Sequence, residues 1–155
     1  LLSTLHTNHA ATTLPRLLDM GIDTYLVAST VHIAIGQRLV RKICPHCKEK
    51  VQVTEAGAES LAPIPLKQPL VAGDTVYRGS GCEECNASGY AGRLCINEVL
   101  VSDNEIREAI LRKASAGEIK QIAVKNGMTT MLEDGFDKVR KGETTIEEVL
   151  RVVYE

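Results

Sequence analysis

The chain has 155 residues, a formal net charge of -2, no tryptophan, one phenylalanine and four tyrosines. So even a charge balance excludes a nucleic-acid or anionic-membrane binder driven by electrostatics, and so few aromatics leave no platform for stacking bases. The length fits one domain, or a domain with a small insert, and no segment reads as a secretory signal or a transmembrane run.

Leu1-Leu2-Ser3-Thr4-Leu5 has the apolar content of a buried strand and no polar lead-in, as expected of a piece of a larger protein. It ends in a polar cluster, His6-Thr7-Asn8-His9. Ligands of open α/β sheets gather beyond the carboxyl ends of strands, which makes this cluster a candidate functional loop. The competing reading is a helix-capping loop with Thr7 or Asn8 as N-cap. Leu14, Leu17 and Leu18 then share one helix face; Thr12 or Thr13 is expected to cap the main part, because Pro15 suits a first turn, and Gly21 ends it. Asp23 opens a second helix, apolar on nearly every side through Ile35, which is expected to be buried or to form a subunit contact. Gln37 to Ile43 alternates polar and apolar residues and reads as a strand.

That strand leads into Cys44-Pro45-His46-Cys47, which Cys82-Glu83-Glu84-Cys85 answers. Paired Cys-x-x-Cys units are the signature of a tetrahedral four-thiolate site, and zinc accepts such a set without preferring another geometry. Two disulfides or redox dithiols are the alternative, and disulfides need an oxidising compartment that nothing here indicates. Four protein ligands leave no open position, so the zinc is expected to be structural. His46 is read as an exposed loop residue and Cys95 as a buried one. Residues 48 to 81 are rich in proline and glycine, with a small strand expected within Val71 to Tyr77 and too little apolar material for a core. Loss of metal is therefore expected to unfold residues 44 to 85 and leave the helical end intact.

A turn-rich link from Asn86 to Arg93 precedes a strand from Leu94 to Val101. The rest reads as helices opened by capping boxes at Ser102-x-x-Glu105, Ser115-x-x-Glu118, Thr130-x-x-Glu133 and Thr144-x-x-Glu147, with stops at Gly127 and Gly142. Lys138, Arg140, Glu147 and Glu148 are read as a solvated face.

Taken together, Leu2-Ser3-Thr4-Leu5-His6-Thr7-Asn8, Leu14-Pro15-Arg16-Leu17-Leu18-Asp19-Met20-Gly21, the run Gln37 to Cys47, Cys82-x-x-Cys85 with Gly89-Tyr90-Ala91-Gly92-Arg93, and the ending Gly142 to Leu150 resemble the type II secretion traffic ATPases and type IV pilus extension ATPases. His9, Cys95 and Asn97 depart from this family, which often has Asp, Gly and an aromatic or His at those places. The resemblance implies an α/β fold, the C-terminal half of a RecA-like P-loop ATPase domain with a four-cysteine zinc insert and a C-terminal helical subdomain. The implied division is residues 1–43 of the ATPase core, the insert 44–85, a linker and core strand 86–101, and helices 102–155. It also implies that His6 belongs to a "His box" near the nucleotide's γ-phosphate, with Thr7 and Asn8 beside it, and that Arg93 and Arg16 are nucleotide-side or subunit-interface arginines. For Arg93 the alternative is an ordinary solvated strand residue.

The family works as a cytoplasmic homo-hexamer bound peripherally to the inner membrane through a platform protein and cytoplasmic adaptors, with ATP and Mg²⁺ as ligands. No nucleic acid and no direct membrane insertion are expected. The sequence has no Gly-x-x-x-x-Gly-Lys-Ser/Thr loop and no acidic Walker B strand, the parts that do most of the work in phosphoryl transfer, so this chain alone is expected to be inactive. A zinc-ribbon adaptor or chaperone-type protein-binding module is the alternative reading.

Overall fold

Alternation decides the two longest strands. Ala34, Gly36 and Val40 turn inward along β1 (Ile33–Ile43), with Ile43 buried out of that phase at its end, and Ile96, Glu98 and Leu100 turn inward along β4 (Tyr90–Val101). β1 and β4 pair as a two-stranded sheet, and the shorter β2 (Lys48–Gln52) and β3 (Thr75–Gly79) form a second, antiparallel one from Lys48↔Gly79 to Gln52↔Thr75. The structure, a computed structural model, describes residues 1–154. It is mixed α/β, and its contacts divide it into two units: residues 1–37 with 97–131, and residues 38–96 with the chain from Leu132 onward. Helices of the 102–155 region fall in both.

The first unit holds α1 (Ala10–Asp19), α2 (Thr24–Thr30), α4 (Asn104–Leu111) and α5 (Ala116–Lys125). Its core is aliphatic: Leu14 of α1, Val27 of α2, Leu100 of β4, Ile106 and Ile110 of α4, and Ile119 of α5. α1 closes with Gly21 N–H on Leu18 O and Ile22 N–H on Leu17 O, the paired bonds of a Schellman stop. Asp23 caps α2 through Tyr25 N–H at 2.8 Å. Asp103 caps α4 and also accepts from Asn126, tying α4 to the end of α5.

The second unit holds the cysteines, the β2–β3 hairpin, α3 (Glu55–Leu61), α6 (Met131–Arg140, from Leu132 on) and α7 (Ile146–Tyr154). The hairpin stem continues through Val53 N–H on Asp74 O and Gly73 N–H on Val53 O, so the residues between, α3 among them, form an excursion closed at its base. Phe136 and Val139 of α6 and Val149 of α7 are fully buried.

Several expectations are corrected. Leu1 to Leu5 is not a strand: Leu1 and Leu2 are fully exposed, and among the described residues no strand pairs with the segment, so its backbone groups have no ladder. α2 stops at Thr30, five residues short of Ile35. Ser29 and Thr30 turn their hydroxyls back onto the Tyr25 and Leu26 carbonyls, and the β-branched Ile33 and Ile35 join β1. α1 begins at Ala10 with His9 as N-cap, and Pro15 lies inside it. Ser102 does not cap α4; Asp103 does, and the Ser102 hydroxyl is buried without a partner. On α7 the capping hydroxyl is Thr145, which accepts from Glu148 N–H, while Thr144 donates to Arg41 O. Glu148 is not on a solvated face: it is 1% exposed.

Candidate metal centre

Two tight turns aim four thiols at one point. The first is Cys44 to Cys47, at the end of β1; the second is a single 3₁₀ turn, Glu83–Cys85, followed by Asn86 and Ala87 in the left-handed region. The Sγ atoms of Cys44, Cys47, Cys82 and Cys85 all lie within 4.8 Å of one another. Cys44–Cys82 is 3.9 Å, Cys47–Cys85 3.8 Å and Cys82–Cys85 3.7 Å. A disulfide needs about 2.05 Å. Four sulfurs held about 2.3 Å from one zinc ion stand about 3.8 Å apart along the edges of the tetrahedron. The observed separations fit the ion and not a bridge, and all five cysteines are free thiols.

Backbone donors polarise the set. Cys82 N–H and Gly89 N–H point at Cys85 Sγ from 3.3 and 3.2 Å, and they pull its pKa down to about 6. Burial pushes Cys47 up to about 11, against an opposing N–H from Gly81. A divalent cation binding here converts the remaining thiols to thiolates and releases their protons. With every ligand position taken by the protein, the ion would hold the fold together and would have no place for a substrate.

Backbone bonds join the two turns. Cys44 N–H donates to Gly89 O at 2.9 Å and Ser80 N–H to Cys47 O at 3.0 Å. Gly79 and Gly89 pass so closely that a Cβ on Gly89 would lie 2.6 Å from Gly79 O. His46 is exposed and outside the cluster, and Cys95 is half-buried.

The other singled-out residues lie elsewhere. His6 is exposed in the loop before α1 and has no polar partner among the described residues. Thr7 Oγ1 is 3.1 Å from Thr13 Oγ1, and Asn8 is exposed. Arg16 is in the last turn of α1 and Arg93 on β4; both are exposed, and neither guanidinium has a hydrogen-bond or ion-pair partner among the described residues. The first unit thus carries His6, Thr7, Asn8 and Arg16, and the second carries Arg93 and the cysteines.

Two buried carboxylates were missed. Glu98 and Glu148 are each 1% exposed. Glu98 shares the parity of Ile96 and Leu100 on β4, a charge on the inward side of an otherwise regular alternation. Glu148 lies next to Val149 on α7 and is met by Arg41 and Arg151.

Comparison with known proteins adds to this geometry. A family model described as "Type II/IV secretion system protein" matches residues 1–151. The type IV pilus assembly ATPase PilB of Thermus thermophilus is 44% identical over 96% of this chain and 16% of the relative. Type II secretion system protein E of Xanthomonas campestris is 45% identical over 97% of this chain and 26% of the relative. PilB of Myxococcus xanthus is 40% identical over 96% and 26%. The chain therefore spans about a quarter or less of the length of these relatives.

Proposed function

The chain belongs to the type II/IV secretion system protein family, and on that premise we propose that it is the C-terminal part of a motor ATPase that couples ATP hydrolysis to type II protein secretion or type IV pilus assembly. The observation that carries the reading is identity of 40 to 45% over nearly the whole chain with relatives named for those two machines. In the longer protein this segment completes a RecA-like domain, works as a homo-hexamer in the cytoplasm, and meets the inner membrane through platform and adaptor proteins. No helix among the described residues is long and apolar enough to cross a membrane.

Within that reading the roles divide by chemistry. Cys44, Cys47, Cys82 and Cys85 hold a structural zinc ion, as the spacing of their sulfurs supports. ATP and Mg²⁺ are bound mainly by parts outside this chain, which has no phosphate-cradling loop of its own. His6, exposed and with no polar side-chain partner among the described residues, approaches the γ-phosphate, with Thr7 and Asn8 beside it. Arg93 and, at a second position, Arg16 offer planar guanidinium forks for charge that develops in the transition state, a task lysine performs poorly.

The test is kinetic and uses the full-length protein. His6→Ala should lower turnover by about tenfold or more while nucleotide affinity changes far less, the pattern of a group that acts in the transition state. Arg93→Lys should also lose most turnover while zinc content and thermal stability stay near the parental values. A full-length protein without ATPase activity, or a His6→Ala variant with parental turnover, overturns this assignment.

A further inference from the structure

Glu98 joins two helix beginnings that are far apart in sequence. Its Oε1 accepts from Ala10 N–H at 2.7 Å and its Oε2 from Met131 N–H at 3.1 Å. Ala10 is the first residue of α1 and Met131 the first of α6, so each oxygen satisfies a backbone donor that no helix can satisfy internally. Both contacts also place negative charge at the positive end of a helix dipole. His9 Nδ1 is 3.8 Å from Oε1, so three groups converge on one carboxylate.

The neighbourhood is shaped for that carboxylate. Gly36 lies behind it on β1, and a Cβ there would stand 2.9 Å from Ala10 N and 3.0 Å from Glu98 Cγ. Any larger residue would press the side chain away from the helix start. The same anchor accounts for α1 beginning a turn and a half ahead of Pro15.

What the anchor holds is the loop His6 to His9, which runs straight into Ala10. Contacts between the loop and α1 fix its shape against the helix: Thr12 Oγ1 donates to His9 O at 2.6 Å, and Thr7 Oγ1 meets Thr13 Oγ1 at 3.1 Å. The bond to Glu98 instead fixes loop and helix together against β4, 88 residues away in sequence. The His6 side chain has no polar partner among the described residues, so its location follows from where the backbone is held.

We infer that Glu98 is a positioning residue for His6, acting through the Ala10 amide and the start of α1. The inference rests on the ATPase reading of His6 given above. Its chemistry is specific: two N–H donors need two acceptors, which a carboxylate has and a carboxamide does not. Glu98→Gln keeps the shape of the side chain but directs an NH₂ group at one of the two amides.

The experiment is a double-mutant cycle in the full-length protein, with amide exchange measured in parallel. Glu98→Gln should speed exchange at Ala10 or Met131 and lower ATP turnover by about tenfold or more, since displacement of a reacting group by about 1 Å can cost that much. KM for ATP, zinc content and exchange in α4 should change little. In the His6→Ala background Glu98→Gln should cause little further loss, because its effect passes through His6. Where Glu98→Gln fails to fold, Gly36→Ala, which crowds the same carboxylate, takes its place with the same expectations. Parental turnover in Glu98→Gln while His6→Ala is impaired overturns the inference and leaves the ATPase reading standing. Additive losses in the double variant, or unchanged exchange at both amides, overturn it as well. Parental turnover in His6→Ala overturns the reading of His6 itself, and the inference with it.

Discussion

Tyr90 Oη lies 2.9 Å from Thr145 Oγ1, joining the strand that leaves the second cysteine turn to the first turn of α7. Arg41 stacks over the same ring, 4.1 Å from its centre, and its guanidinium reaches Glu148 Oε1 at 2.6 Å. Ile43, next to Cys44, donates its N–H to Glu143 O at 3.0 Å, and the backbone N–H of Lys67 in the insert donates to Glu133 Oε1 of α6 at 2.6 Å. The cysteine turns and the final helices share one set of contacts.

Metal removal should therefore be felt beyond the insert, contrary to the expectation from sequence that the helical end stays intact. One zinc ion per chain is expected by elemental analysis. Chelation, or Cys44→Ser, should speed amide exchange in residues 44–85 and in α7 by about tenfold or more, a factor that corresponds to roughly 1.4 kcal/mol of local stability. Exchange in α4 and α5, which belong to the other unit, should hold. Unchanged exchange in α7 would show that the contacts through Tyr90 and Arg41 do not couple the two regions.

Glu148 gives a pH dependence with a definite sign. Burial alone would raise its pKa, but hydrogen bonds from the Arg41 and Arg151 guanidiniums and from Arg41 N–H outweigh it and hold the carboxyl at about 2, below its ordinary 4.5. A folded value below the unfolded one means stability fully present above pH 4.5 and lost as pH falls towards 2. The contribution is on the order of 2 to 3 kcal/mol, reduced by water around the half-exposed guanidiniums. Glu148→Gln should lower the urea midpoint at pH 7 and flatten its fall through that acid window. A variant that follows the parent at every pH would refute this role.

Gly89→Ala should weaken the metal site without replacing a ligand. Gly89 has φ +77, and an added Cβ would meet Gly79 O at 2.6 Å, so the substitution is opposed by both conformation and space. Gly92→Ala is the control, with the same φ of +77 but nothing within 4 Å. In a chelator titration Gly89→Ala should release zinc at least about tenfold more readily than Gly92→Ala, whose cost is confined to about 1 to 2 kcal/mol of left-handed strain. Equal release by the two variants would mean that the Gly79–Gly89 approach is unimportant.

The sequence was most readable where one residue type has one use. Cys44, Cys47, Cys82 and Cys85 announce a converging set through spacing alone, and Ser115 and Asp23 mark helix starts because their short side chains reach the backbone beside them. It was least readable where a partner comes from far along the chain. Locally, Glu148 differs from its neighbour Glu147 only in having Arg151 three residues on; the partner that the sequence could not show is Arg41, 107 residues away. The same holds for Thr144, whose hydroxyl is drawn from a capping role to Arg41 O, and for the start of α1, where the distant Glu98 accepts from Ala10 N–H and Thr12 acts from the third helical position and not as the N-cap. The alternation through Ile33 and Ile35 was visible but lost to helical readings, because a short β-branched run suits either element until a pairing strand is known.

The closed base of the hairpin changes what a bound ion would have to accomplish. Cys44 and Cys82 are 38 positions apart, and joining ends that far apart in an open chain costs loop entropy that grows as the logarithm of length. Here the ladder from Lys48↔Gly79 to Gln52↔Thr75, with Ser80 N–H on Cys47 O, has already brought the two turns together. The ion then closes a loop of only roughly four residues, which spares it about 2 kcal/mol. The excursion that carries α3 lies beyond the stem, so its length is decoupled from the grip on the metal: residues can be added or removed there while the four thiols keep their places.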